Sequence, residues 1–474
     1  MAEGSLPAVP SAAPGRSVGS ARRLILPLAL AQFICSFAGS NMNVMIADIS
    51  EDLDTTVKGV QTAITLFLLI MAILMIPCSK LTDRWGRKRC FLLGLVLYGM
   101  GALMSAVAPN LGVLILGNSV FEGVGTALLI PPVYILATLW FSDLTSRAWA
   151  FGVISGLGGI GAAAGPLIGG VITTGISWRA AFVFQALVVA SIALLSRRME
   201  DPLPADPKRP FDGVGAILSG VGMFCVVFGI VQAGSNNTLL VVLLAVGAAF
   251  LAWFFFYIRS RERAGKEPLL STGLFKNRTC NFALVTQNVQ WLVLMGTSFV
   301  VSVFLQEVRG YSAIKTGVIF TAATLGILFS SLAAERLARR YSQKTLIVAG
   351  FVVTMVGVAL LLGLVKASDS IWAFVPGLAL IGLGLGGMLT PSVNVVQSSF
   401  PEELQGEISG LSRSVSNLGS SFGTAVAGTI LVSSLATGND AYGWAMVALI
   451  VFGLIGLGAA LRLPSTDRQR LDPA

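Results

Sequence analysis

The chain reads as an all-α membrane protein in which two six-helix bundles are joined by two linker helices, fourteen transmembrane helices in all. Three observations predict this. Hydrophobic residues make up 55% of 474 positions against 12% charged, with a mean hydropathy of +0.82, which does not suit a water-exposed surface. Apolar runs of about 20 residues, the length that spans about 30 Å of hydrocarbon, recur almost from end to end. The basic residues also alternate between links: with both termini on the cytoplasmic side, only Lys58, Arg179, Arg309, Lys315 and Lys366 of the 32 Lys and Arg fall outside.

The elements follow in order. Residues 1–23, opening in Pro, Ala, Gly and Ser, predict a disordered cytoplasmic tail. Arg22-Arg23 ahead of an apolar run mimics a twin-arginine export signal, but no small-residue cleavage site follows and the run is long enough to span. The N-terminal bundle, 24–196, holds predicted helices at 24–47, 57–78, 90–108, 111–138, 147–172 and 179–196. The charged link S-K-L-T-D-R-W-G-R-K-R (79–89) separates the second from the third, and Ala108-Pro109-Asn110 stops the third. The segment 197–279 carries the link DPLPADPKRPFD, two linker helices at 211–233 and 239–258, and a second link. The C-terminal bundle, 280–463, holds helices at 280–306, 313–335, 345–365, 371–395, 408–434 and 441–463, and 464–474 is a second cytoplasmic tail. No gap is long enough for a soluble domain, so function sits within the membrane part. AAERLARRYSQK (333–344) echoes the 79–89 link in position and charge, as an internally repeated transporter would.

A net charge of +9 could suggest a nucleic-acid partner, but its placement on one side of the membrane accounts for it without one. The five cysteines (Cys35, Cys78, Cys90, Cys225, Cys280) form no C-x-x-C pair and indicate neither disulfides nor a metal site. No nucleophile-base pair, phosphate loop or metal cluster is present, so the chain is not expected to be an enzyme or to need a cofactor.

The cations of the 79–89 link follow from topology alone, whereas Asp83 and Gly86 do not. Here the sequence resembles the major facilitator superfamily, whose hallmark link runs roughly G-x-L-a-D-r-x-G-r-[RK]. Leu81, Asp83, Arg84, Gly86, Arg87 and Lys88 match, with Ser79 in place of the usual Gly. The resemblance implies a major facilitator fold and a latch: the aspartate rests on basic residues and a helix N-terminus of the opposite half. The start of the thirteenth helix, from Gly406 to Arg413, is the expected partner.

Further motifs agree. In G-L-G-G-I-G-A-A-A-G-P-L-I-G-G (156–170), Gly161, Gly165 and Gly169 recur every four residues as a smooth packing face, and Pro166 favours a bend. The ending Gly165-Pro166-x-x-Gly169-Gly170 resembles the motif that marks exporters within the superfamily. SWRAAF (177–182), FDGVGA (211–216), EPLLSTGLFKNRT (267–279) and QEVRGYSAIKTG (306–317) resemble further signatures of its fourteen-helix drug:proton antiporter family.

Such an exporter loads and releases a proton inside the membrane. Without histidine, carboxylates are the candidates, and Glu122 is the one acid well inside a helix; Asp48, Asp212, Glu307 and Glu335 fall near helix ends. A carboxylate at that depth must face a cavity, pair or carry a proton. Asn118, Glu122 and Thr126 lie four apart with Ser119 beside them, a polar stripe expected to wall a cavity. The family pattern is broken in two places: Ser119 stands where an arginine is usual, with Glu122 for the usual Gln, and Ala38 stands where the first helix usually carries an acid. Either Glu122 has taken over proton handling or the chain is not proton-driven in the usual way.

Gln32, Ser36, Ser40, Asn41 and Asn43 on the first helix, Asn118, Gln185, and Gln287 and Gln290 on the ninth are the candidates for a substrate cavity, or tie helices together. The expectation is an inner-membrane exporter of small amphiphilic compounds, driven by the proton gradient, working as a monomer among membrane lipids by rocking of its two halves. The alternatives are an exporter or flippase of an envelope lipid or endogenous metabolite, and a non-transporting sensor or scaffold on the same fold.

Overall fold

A computed structural model describes residues 18–141, 144–197, 199–202, 204–208, 210–233, 235–368, 370–400, 405–433 and 439–464. Among them run fourteen long helices: α1 (Leu24–Asp52), α2 (Val57–Trp85), α3 (Arg87–Ala106), α4 (Leu111–Trp140), α5 (Leu144–Gly175), α6 (Trp178–Ser196), α7 (Gly213–Val231), α8 (Asn237–Arg263), α9 (Arg278–Val308), α10 (Ala313–Arg340), α11 (Gln343–Ala367), α12 (Val375–Gln397), α13 (Gln405–Ser433) and α14 (Asn439–Leu461). Thirteen are long and apolar enough to cross a membrane as they stand. The other, α5, does so as two halves, Gly152–Ala162 and Ala164–Gly175, bent by 43° just before Pro166.

The polar gaps of the sequence act as helix caps. Thr56, Asn110, Ser177, Asp212, Asn236 and Asn277 each accept a hydrogen bond from the first turn of the helix that follows, the backbone donors a helix start leaves open.

Two expected boundaries move. Helical backbone begins at Val18, inside the expected tail, because Ala21 and the two arginines continue the helix outward; residues 1–17 lie outside the described part. The 79–89 link is not a loop either. α2 runs on to Trp85, α3 starts at Arg87, and Gly86 alone turns the chain with φ +93°, a backbone angle that L side chains resist.

Within the first half α1 packs on α4, α5 and α6, α2 on α4, and α3 on α4 and α6. Within the second, α9 packs on α12, α13 and α14, and α12 also on α10 and α11. The halves meet through α2 with α13 and α5 with α10. Each pair joins the second helix of one half to the fifth of the other, as two repeated units facing each other would. The linker helices form a hairpin: α7 rests on α2 and α13, while α8 leaves almost all of its apolar surface outside.

Candidate functional site: the cavity between the halves and the carboxyl behind it

The helix pair α2 and α13 is stitched along its length. Gln61 donates to the carbonyls of Thr424 (3.1 Å) and Ala425 (3.3 Å), Ser421 to that of Thr65 (3.0 Å) and Ser414 to that of Ala72 (2.5 Å). At the basic end Lys80 pairs with Glu407 at 2.5 Å. At the opposite end, a tight turn at Met42–Met45 interrupts α1, and Gln306 of α9 takes up the loosened backbone. Its amide nitrogen donates to the Asn43 carbonyl (2.9 Å) and its amide oxygen accepts from the Ala47 N–H (3.1 Å). Asn43 also donates to Ser298 at 3.3 Å.

Between these two closures lies a cavity of roughly 60 Å³. Pockets for drug-sized ligands measure about 300 Å³ or more, so the cavity in this arrangement is contracted beside them. Its walls are apolar at Met71, Met75, Trp291 and Met295, and polar at Gln32, Ser36, Arg413, Ser416, Asn417 and Ser420. A groove beside Phe255, Arg259 and Lys276 lies on the outer face of α8 and the α8–α9 link, away from the path between the halves.

Of the nine predicted cavity residues, the structure places Gln32 and Ser36 on this wall. Ser40 turns its hydroxyl back to the carbonyls of Ser36 and Phe37. Asn41 is buried with its amide nitrogen unpaired, beside Gly169. Asn43 belongs to the closure with α9. Gln185 accepts the Tyr98 hydroxyl at 2.5 Å inside the first half. Gln287 accepts from Ser412 (2.8 Å) and Gln290 donates to the Leu385 carbonyl (3.3 Å), so both tie helices of the second half together. Asn118 is buried in α4 with an unpaired amide nitrogen.

Glu122 is fully buried, and neither carboxylate oxygen has a hydrogen-bond partner among the described residues. Its stripe with Asn118, Ser119 and Thr126 faces the interior of the first half, because α3 presses against α4 there. A Cβ on Gly101 would come within 2.7 Å of the Glu122 nitrogen. A wide π turn over Ile115–Glu122 lets the two backbones approach so closely. The expectation of a cavity wall is thus corrected: Glu122 is not on that wall, whereas Cys35, from α1, which packs on α4, does line the cavity.

The glycines of α5 let neighbouring helices close in. A Cβ on Gly161 would collide with the Phe33 carbonyl and one on Gly165 with the Ser40 hydroxyl, so this edge is the seat of α1. Gly170 faces α10, where a Cβ would lie 2.5 Å from the Ala313 carbonyl, and the Pro166 carbonyl nests against Gly317.

At the elbow between α2 and α3, Asp83 accepts from Arg87 at 2.7 Å, and Arg87 also reaches the Pro204 carbonyl. The Lys88 side chain reaches the Arg197 carbonyl, Arg84 is half-buried at the end of α2, and Gly86 leaves room for Asp201. Asp201 takes the N–H groups of Arg87 (2.6 Å) and Lys88 (3.2 Å), so the carboxylate at a helix N-terminus here comes from the α6–α7 link. Gly406, where the expected Asp83 partner begins, lies outside the described side chains. Arg413, also expected there, is instead more than two turns into α13, with its guanidinium 4.6 Å from the centre of the Tyr134 ring and donating to the Tyr134 hydroxyl. The signal for its true place was in the sequence: Arg413, Ser416, Asn417 and Ser420 share one helical face.

Among the described residues, no three Cys, Asp or Glu side chains gather as a metal site.

The family model described as Major Facilitator Superfamily matches residues 28–424. The chain belongs to that superfamily. Its relatives include the puromycin resistance protein pur8 of Streptomyces alboniger, 30% identical over 86% of this chain and 81% of that protein. The multidrug efflux pump LfrA of Mycolicibacterium smegmatis is 27% identical over 81% of this chain and 76% of its own. The tetracenomycin C resistance and export protein of Streptomyces glaucescens is 28% identical over 86% and 75%. The fold matches a crystal structure of peptide transporter POT in complex with sulfate, with a TM-score of 0.67 at 15% identity over 93% of this chain and 95% of that one. As a major facilitator the chain has two halves with a cavity between them, and these meet along α2 with α13 and α5 with α10.

Proposed function

We propose that this major facilitator is a proton-coupled exporter of small amphiphilic compounds. It works as a monomer in the inner membrane, with both termini cytoplasmic and the proton gradient as its only energy source. Glu122 carries the proton. The observation that supports this is a carboxyl group shut away from solvent inside the first half, with no donor among the described residues. An ionised carboxylate in such a place costs several kcal/mol, so the contracted arrangement suits the neutral acid. The proton then leaves only when the helices packed around Glu122 part and water reaches it. Loss of the proton and opening of the cavity are thereby linked, as alternating access requires.

The relatives named above, which resist or export antibiotics, favour outward transport of foreign or secondary compounds over a dedicated lipid flippase. The stitched gates at both ends favour a working transporter over a silent sensor.

The test is uptake of an amphiphilic dye into inside-out vesicles under an imposed pH gradient, native chain against Glu122→Gln. Gradient-driven accumulation should vanish in the variant while exchange of dye across the membrane persists. Equal accumulation by the two proteins at every pH gradient would remove Glu122 from the coupling.

A further inference from the structure

Arg413 is a full positive charge set into the cavity wall. Its guanidinium carbon lies 4.6 Å from the centre of the Tyr134 ring and the group donates to the Tyr134 hydroxyl; that hydroxyl donates to Gln32 at 3.2 Å, and Gln32 donates to Ser36 at 3.1 Å. The relay runs from α13 through α4 to α1, so it crosses between the halves and fixes the arginine from one side. Tyr134 takes one of the guanidinium's five N–H donors, and Arg413, which lines the cavity, makes no other hydrogen bond among the described residues.

Among the described residues no counter-charge balances it. The cavity wall contains no Asp or Glu, and Arg413 forms no ion pair among the described residues. Glu122 is off the cavity wall and fully buried, in a setting that suits its neutral form. Arginine does not shed its proton, so the charge remains through the cycle. Trp291, Met71, Met75 and Met295 line the same cavity, a polarizable apolar surface that takes rings and alkyl bodies of varied shape.

We propose that the cavity selects amphiphilic monoanions, with Arg413 as the residue that recognises the charge: an apolar body against Trp291 and the methionines, and one carboxylate or acidic phenolate on the guanidinium edge. This rests on the export reading for its biological sense, and names the substrate class of that site. A cationic amphiphile meets a like charge here and no carboxylate.

The test compares probes of one shape and different charge: naphthylacetate, its methyl ester and naphthylethylamine, bound to the purified full chain at neutral pH and followed by calorimetry. The native protein should bind the anion about tenfold or more tighter than the ester, with the amine weakest. Arg413→Gln should lose that preference while binding the ester within about twofold of native, and Arg413→Lys should keep part of it, because a point charge replaces a planar fork. Equal binding of anion and ester by the native protein, preference for the amine, or an equal loss for all three probes in Arg413→Gln would overturn the proposal. The native series needs no variant, so a misfolded mutant leaves it decided. Binding is also separable from export: anion selectivity without gradient-driven transport sinks the exporter reading alone, whereas gradient-driven transport without anion selectivity sinks only this one.

Discussion

Gln306 grips Asn43 across the two halves, donating to its carbonyl at 2.9 Å while accepting from Ala47 one turn further on. One amide thereby satisfies both sides of the break in α1, and it comes from the helix that must move away when this end opens.

Replacing that amide by an isosteric apolar chain, Gln306→Leu, leaves the Asn43 carbonyl and the Ala47 N–H without their partner, at about 1–3 kcal/mol for a buried group. A shift of that size raises the open population by about fivefold or more. Ser298→Cys, placed beside Asn43, should then react correspondingly faster with a membrane-impermeant maleimide in Gln306→Leu than in the parent. An unchanged labelling rate would mean that this contact does not hold the end shut.

The glycines of α5 should differ sharply among themselves. Gly161→Ala pushes a methyl into the backbone of Phe33, and overpacking of this kind costs about 1–3 kcal/mol. Gly152 has open space around it, so Gly152→Ala gains up to about 1 kcal/mol from helix propensity. Melting temperatures in detergent should fall for the first and hold or rise for the second. Parallel changes would refute the close seat of α1 on α5.

Lys80 and Glu407 join α2 to α13 at the basic end, and Glu407 also accepts from the Ser271 N–H at 3.4 Å. A partly exposed ion pair contributes only about 0–1 kcal/mol, so a neutral Lys80→Gln change should alter transport rates by a few-fold at most. Lys80→Glu should do more, through repulsion, and the swap Lys80→Glu with Glu407→Lys should restore most of the rate. A swap no better than the single reversal would show that the pair does not couple the halves.

Asp201 accepts from two N–H groups at the start of α3, a site where a carboxylate contributes about 0.5–2 kcal/mol. Asp201→Ala should lower the melting temperature, and the deficit should shrink as salt is raised, because partly exposed charge is screened. A deficit independent of salt would assign the contribution to packing rather than charge.

Fourteen apolar runs, the capping residues between them and the one-sided placement of cations were legible residue by residue, because hydrocarbon imposes its demand on each span separately. The i, i+4 glycines of α5 could likewise be read as a close-packing face before any neighbour was known. The neighbour itself could not: that Gly161 and Gly165 seat α1 while Gly170 meets α10 depends on how the halves assemble. The same holds for the polar residues. Periodicity put Asn118, Glu122 and Thr126 on one stripe, but whether that stripe faces a cavity or the inside of a bundle is set by the contact of α3 with α4 at Gly101. Gln287 and Gln290 share a helix with the cavity-lining Trp291, yet both turn inward to α13 and α12. Arg413 belonged by sequence to a gate and by packing to the cavity. Solvent preference acts on each helix alone and is written along the chain, whereas the direction in which a polar side chain points is a property of helix pairs, and only the folded arrangement decides it.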